Sequence, residues 1–285
     1  MITETQFQHE ISLIISNAIR EDVGDGDHSA LACIPKDAQG KAKLLVKDTG
    51  IIAGIEFAKQ VFAFVDKDLK VDTLLHDGSH VKPNDIAFYV AGNTHSILKS
   101  ERLVLNAMQR MSAIATKTNH FVKLLEGTQT KILDTRKTTP GIRALEKWAV
   151  KIGGGENHRF ALYDMIMLKD NHIDFVGSIT SAISQTKAYL ENTGRHLKII
   201  VEARNLDEVA EILSCDGVYR ILLDNFTLED TKKAVALIKD MCLTESSGGI
   251  TEQTLRAYAQ CGVNYISSGA LTHSVHNLDL SLKAF

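Results

Sequence analysis

Apolar residues Phe7, Ile11, Ile14, Ile15, Ala18 and Ile19 recur at helical spacing, so Thr5–Arg20 is expected to form an amphipathic helix. It ends at Asp22-Val23-Gly24-Asp25-Gly26-Asp27, whose three aspartates invite a cation but do not follow the order of an EF-hand loop. A solvated turn is the expectation there. Lys41–Val46 and Leu69–Leu75 read as strands, with a helix over Glu56–Val65 between them. A turn-rich segment, Asp77–Asp85, leads into an apolar strand at Ile86–Ala91. This first part reads as a small mixed α and β domain. Ser96–Leu125 reads as helical, with one break expected near Met111–Thr116.

After Gly127 the rhythm becomes strand then helix, repeated. Expected strands are Lys131–Asp134, Met165–Leu168, Lys198–Glu202, Arg220–Asp224, Cys242–Glu245 and Asn264–Ser267. Amphipathic helical stretches lie between them at Ile142–Lys151, Ser178–Glu191, Leu206–Leu213, Leu228–Lys239 and Thr251–Cys261. Short apolar runs alternating with helices imply βαβ units and a parallel sheet. Periodicity alone does not choose between an open doubly wound sheet and a barrel.

Composition narrows the class. The 285 residues, 44% hydrophobic and 24% charged, suit one large or two modest globular domains. A formal charge of −3 argues against a general nucleic-acid binder. Cys33, Cys215, Cys242 and Cys261 have no metal-ligand spacing and read as core thiols in a reducing compartment. The polar, acidic stretch Met1–Glu10 is unlike a secretory signal, and no apolar run reaches the ~20 residues of a membrane span. A cytoplasmic location is expected.

Polar residues then locate the chemistry. The six expected strands end at Asp134-Thr135-Arg136-Lys137, Lys169-Asp170-Asn171-His172, Glu202, Asp224-Asn225, Ser246-Ser247-Gly248-Gly249 and Ser268-Gly269-Ala270. Parallel α/β folds bind ligands at the carboxyl ends of their strands. Six such ends in register favour a closed barrel with one pocket. The two Ser-Gly loops on the last two strands read as a phosphate site, since glycine admits an anion close to free backbone amides. Arg136, Lys137, His158, Arg159 and Lys169 form a cationic group larger than one phosphate requires. They flank Gly153-Gly154-Gly155, which follows a helix and so does not read as a dinucleotide fingerprint. Glu202 and Asp224 could be salt-bridge partners, or could hold ribose hydroxyls, Mg²⁺ or a developing cation at a sugar carbon. A Schiff-base aldolase using Lys169 and a phosphometabolite sensor remain as other readings.

At these residues the chain resembles the quinolinate phosphoribosyltransferase family. The resemblance rests on Asp134–Gly141, Gly153–Arg159, Leu168–Ile173, Val201-Glu202, Leu222–Asn225, Ser247–Ile250 and Gly269–Ser274, with Glu21–Gly24, Asp27 and Glu101-Arg102. His28-Ser29, Trp148 and Ser246 depart from the family's usual residues without touching an assigned role. A related group, the molybdenum-associated pyrophosphorylase-like proteins, is the nearer rival, and retention of both arginine sites favours quinolinate.

The resemblance implies an N-terminal α/β sandwich domain (1–115, joined by the tail 275–285) and an incomplete parallel α/β barrel of about six strands (116–274). It implies a homodimer with a shared active site, larger assemblies being left open. The implied reaction turns quinolinate and phosphoribosyl diphosphate into nicotinate mononucleotide, diphosphate and CO₂ with Mg²⁺. Arg102 of the neighbouring subunit would join Arg136, His158, Arg159 and Lys169 on the dicarboxylate. Lys137 would face the diphosphate, supported by His172. Glu202 and Asp224 would hold ribose hydroxyls and Mg²⁺, directly or through water or substrate. Ser247, Gly248, Ser268 and Gly269 would cradle the 5′-phosphate, with Lys137, Glu202 and Asp224 as the catalytic residues.

Overall fold

A computed structural model describes residues 2–285; Met1, the first residue of the expected N-terminal segment, lies outside them. The elements in chain order begin with α1 (Glu4–Val23), α2 (His28–Cys33), β1 (Gln39–Val46), β2 (Gly50–Ile51), α3 (Ile55–Val65), β3 (Lys70–Thr73), β4 (His80–Val81) and β5 (Ile86–Asn93). There follow α4 (Thr94–Leu124), β6 (Lys131–Leu133), α5 (Arg143–Ile152), β7 (Ile166–Leu168), α6 (Asp170–Val176), α7 (Ile179–Thr193), β8 (Ile199–Ala203) and α8 (Leu206–Leu213). The chain finishes with β9 (Arg220–Asp224), α9 (Leu228–Ile238), β10 (Leu243–Ser247), α10 (Glu252–Ala259), β11 (Tyr265–Ser267), α11 (Ala270–His273) and β12 (Leu280–Ala284).

The described chain divides into two compact units. One comprises residues 3–119, 137–154 and 270–285. Its antiparallel sheet runs β12-β1-β5-β3, so the C-terminal tail pairs with the first strand. Helix α1 starts at a capping box, in which Thr3 Oγ1 accepts from the Gln6 amide and Gln6 Oε1 accepts from the Thr3 amide. It buries Ile11, Ile14 and Ile15, and Phe7 meets the Trp148 ring of α5 edge-on. In the acidic turn, Asp27 caps α2 through the Ala30 amide and Asp25 pairs with His28. These contacts account for two of the three aspartates.

The break expected in α4 is absent: the helix runs unbroken for 31 residues. Its polar residues at Ser112 and Thr116 face inward because they serve another segment's backbone. Ser112 Oγ accepts from the Ala53 amide at 2.9 Å and donates to the Ala53 carbonyl at 3.2 Å. Thr116 Oγ1 accepts from the Ile51 amide at 2.8 Å. Nothing in Met111–Thr116 removes a helical N–H, so tertiary contacts override the weak local propensity. Gly153 abuts this helix as well, since a Cβ there would lie 2.5 Å from the Ala115 carbonyl oxygen. The first glycine of the run is thus required by packing.

The other unit contains residues 120–136 and 155–269. Its six parallel strands follow the order β6-β11-β10-β9-β8-β7. Among the described residues β6 and β7 do not pair, so the sheet is an incomplete barrel and not the closed one that the strand ends favoured. The physical reason lies at the β6 edge. The extended segment at Glu156 bridges Leu133 in parallel; its amide donates to Ile132 O at 2.9 Å, and Asp134 N donates to Glu156 O at 3.2 Å. A strand-like segment already uses the backbone groups that closure would need.

Candidate active site

Register decides which side chains share a face. Parallel partners are Met167↔Ile200, Glu202↔Leu222 and Asp224↔Ser247. Side chains alternate along a strand, so Met167, Lys169, Ile200, Glu202, Leu222, Asp224, Glu245 and Ser247 have the same facing. Met165, Ile200 and Leu222 pack together with Met167 as an apolar cluster on that face. Beyond the cluster, at the carboxyl ends, come Lys169, Glu202, Asp224 and Ser247. Sequence periodicity found the strands; their register makes one rim of their ends.

Along that rim Lys169 Nζ lies 3.0 Å from Glu202 Oε2, joining the ends of β7 and β8. Glu202 is buried and Lys169 half exposed, so the carboxylate is the fixed partner. Next, Asn225 takes a left-handed backbone (φ 56°), which suits asparagine, and its amide donates to Ser247 O at 2.9 Å. Gly248, at φ 89°, sits against Asn225 so closely that a Cβ would overlap Asn225 Oδ1. The turns after β9 and β10 therefore pack as one surface. Ser268 N donates to Leu133 O at 3.0 Å, bringing the loop after β11 beside β6.

Asp134, fully buried at the end of β6, arranges the cations. Its Oδ1 accepts from the His158 amide at 2.8 Å and its Oδ2 from Asn157 Nδ2 at 2.6 Å. Arg159 follows, with Nη1 donating to Met165 O at 3.2 Å. Burial lowers the Arg159 pKa, and the charge of Arg136 lowers it further. A buried guanidinium repelled by an exposed one gains from a dianion placed between them. His158 is oriented inward: Nδ1 accepts from the Arg159 amide at 2.7 Å and Nε2 faces Glu245 Oε2 at 3.3 Å. An accepting Nδ1 puts the ring proton on Nε2, towards the carboxylate. His172 caps α6, its Nδ1 accepting from the Lys169 amide at 3.0 Å.

The structure thus gathers Arg136, His158, Arg159, Lys169, His172, Glu202, Asp224, Ser247, Gly248, Ser268 and Gly269 in one unit; Arg102, exposed on α4, and Lys137 belong to the other. Sequence reasoning missed Glu245 and Arg220. Glu245 is wholly buried, with Arg220 Nη1 at 2.6 Å, and the Arg220 guanidinium stacks 4.2 Å from the Tyr265 ring centroid. Burial pushes the Glu245 carboxyl up, yet His158 and Arg220 hold it at about 2. A glutamate closing the expected strand Cys242–Glu245 and an arginine opening the previous one are the available signal.

The family model for the C-terminal domain of quinolinate phosphoribosyl transferase matches residues 114–283, and that for the N-terminal domain matches residues 27–112. The decarboxylating quinolinate phosphoribosyltransferase 1b of Nicotiana tabacum is 43% identical, over 96% of this chain and 82% of its own. A probable carboxylating nicotinate-nucleotide pyrophosphorylase of Bacillus subtilis (strain 168) is 39% identical, over 96% and 93%. The crystal structure of NadC from Streptococcus pyogenes superposes with a TM-score of 0.90 at 38% identity, covering 99% of this chain and 97% of that one. With both halves matched by their own models and relatives aligned along nearly the whole length, the chain belongs to the quinolinate phosphoribosyltransferase family.

Proposed function

We propose that this chain transfers the phosphoribosyl group of phosphoribosyl diphosphate to quinolinate, yielding nicotinate mononucleotide, diphosphate and CO₂ in NAD biosynthesis. One observation carries the reading: the order of chemistry along the rim. From β7 to β6 it runs cation (Lys169), acid (Glu202), acid (Asp224), Ser-Gly (Ser247-Gly248), Ser-Gly (Ser268-Gly269), then the cations that follow Asp134. A substrate pair with a dicarboxylate, a ribose and a 5′-phosphate uses these zones in turn.

Arg136, Arg159 and Lys169 line the dicarboxylate zone, completed by Arg102 from a second subunit of a homodimer; His158, its ring nitrogens turned to the Arg159 amide and to Glu245, backs that wall. Lys137 serves the diphosphate. Glu202 and Asp224 face the ribose and stabilise the positive charge that grows at its anomeric carbon. The pyridine nitrogen bonds to that carbon as the diphosphate leaves. The ring nitrogen is then cationic, the adjacent carboxylate departs as CO₂ with its bond electrons passing to the ring carbon, and that carbon takes a proton. Holding the reactants in line and matching their charges does most of the work.

Mg²⁺ fits the acids present. Glu202 and Asp224 lie at the ends of neighbouring strands, and no cluster of three or more metal-ligating side chains occurs among the described residues. Such a pair suits an ion that takes most of its ligands from phosphate oxygens and water. When bound, it would neutralise charge on the diphosphate. The division at 115/116 with a returning tail, and a cytoplasmic location, belong to the same proposal. No helix among the described residues is long and apolar enough to cross a membrane. The ion pair of Lys169 with Glu202 disfavours the aldolase reading, which needs a free amine.

The test is direct. Quinolinate, phosphoribosyl diphosphate and Mg²⁺ should yield equal amounts of CO₂ and nicotinate mononucleotide, and omitting any one should abolish both. Folded protein that forms neither product would refute the proposal.

A further inference from the structure

Lys137 opens a loop, 137–142, whose main chain is tied to a buried cluster. Thr272, wholly buried in α11, donates its hydroxyl to the Lys137 carbonyl at 2.7 Å. Two residues on, Thr139 donates twice to the carboxylate of Glu146: its amide to Oε2 at 3.0 Å and its hydroxyl to Oε1 at 2.8 Å. Glu146 is itself fully buried in α5. Arg110, from α4, neutralises it through Nε at 3.0 Å and Nη2 at 2.9 Å, both to Oε1. The same Nη2 donates to the Thr272 carbonyl, so one guanidinium joins both anchors of the loop. Arg143 Nε adds a bond to Thr138 Oγ1 at 2.9 Å.

A buried carboxylate that receives four hydrogen bonds, two of them from a loop, is a costly way merely to stop a helix from fraying. Its geometry instead fixes a backbone that carries a long, flexible lysine. We infer that Arg110, Glu146 and Thr272 form a clamp that positions Lys137 for the diphosphate. None of the three needs to touch substrate; they are positioning residues. The inference rests on the role proposed above for Lys137. Arg136, one residue earlier, follows Asp134, which has anchors of its own in Asn157 and His158. Loosening the clamp should therefore fall on phosphoribosyl diphosphate and spare quinolinate.

Thr272→Val keeps the buried shape and deletes the hydroxyl, and Thr272→Ser restores it. Steady-state kinetics, each substrate varied in turn, should give T272V a loss of about tenfold in kcat/KM for phosphoribosyl diphosphate, the scale of one positioning hydrogen bond. The KM for quinolinate should stay within about twofold, and T272S should recover to within about threefold of the parent. In a Lys137→Ala background, T272V should cost almost nothing more, since the group it positions is gone. Equal losses for both substrates, or a T272S as weak as T272V, would overturn the clamp. An impaired K137A that loses another tenfold on adding T272V would overturn the clamp alone. An unimpaired K137A would overturn the Lys137 role itself, and the clamp with it.

Discussion

Replacing Glu245 by glutamine keeps the side chain's volume and removes the charge that Arg220 meets at 2.6 Å and His158 faces at 3.3 Å. Arg220 is 6% exposed and Glu245 0%, so the cation left behind has almost no water to turn to. One-sided loss of such a pair costs about 3–5 kcal/mol. A second route gives a similar figure. The carboxyl is driven up by burial but held by His158 and Arg220 at about 2 in place of 4.5, which corresponds to about 3 kcal/mol of pH-linked stability. For 285 residues at ~2.1 cal/mol/K each, 1 kcal/mol moves Tm by about 1.7 °C, so E245Q should melt about 5–8 °C lower at neutral pH. The folded pKa is depressed, so this contribution is complete above 4.5 and fades as pH falls towards about 2. Thermal unfolding followed by circular dichroism from pH 7 to 3 should show the two proteins converging as acid is added. A variant within 1 °C of the parent at pH 7, or a constant gap down to pH 3, would refute the reasoning. Removing both charges together, as Arg220→Met with Glu245→Leu, should recover most of the loss.

Three further outcomes are expected. Gly248→Ala forces a side chain into a left-handed backbone beside the Asn225 amide, 2.9 Å away, and should cost about 1–3 kcal/mol in urea unfolding while raising the KM for phosphoribosyl diphosphate. An unchanged KM would detach that loop from the phosphate. Arg136→Ala should weaken quinolinate binding far more than phosphoribosyl diphosphate binding in calorimetric titrations, and equal losses would count against its place on the dicarboxylate. If Arg102 acts across a dimer, inactive R102A and K169A subunits, unfolded together and refolded, should regain about a quarter of the parental activity through mixed dimers. No recovery from a mixture proven to exchange subunits would show that each site is built from one chain.

The repeated apolar runs made the parallel sheet legible because each strand is short and flanked by an amphipathic helix. Lys169, Glu202 and Asp224 stand out for a similar reason: a polar residue directly after an apolar run marks a strand end, whereas Ser247 follows a polar run and is marked only by the glycines after it. Closure of the sheet was not legible, because it depends on which partner meets the β6 edge, and Glu156 is polar and remote from any strand-like pattern. The continuity of α4 was hidden too. Ser112 and Thr116 look like interruptions until the backbone at Ile51 and Ala53 is brought against them. By sequence His158 reads as a donor to an anion, but its facing is set by Glu245, a contact that only register and loop path create. Local pattern names candidates well; the direction in which a side chain points is a property of the assembled neighbours.

The extended segment at Glu156 also bears on how the sheet avoids pairing with another chain. The bare rim of a parallel sheet is a template on which another chain can grow as an added strand. Here one side of that rim is occupied by a piece of the same polypeptide, and that piece also leads into His158 and Arg159. On the proposed assignment of His158 and Arg159, ligand recognition and protection against intermolecular strand pairing depend on the same few residues. A substitution at Asp134, whose carboxylate pins the segment, would expose an adhesive backbone at the moment it disorders the cations. Such variants should be lost from the cell as aggregate before their kinetics could be compared, so the loop's sequence is held in place from two sides.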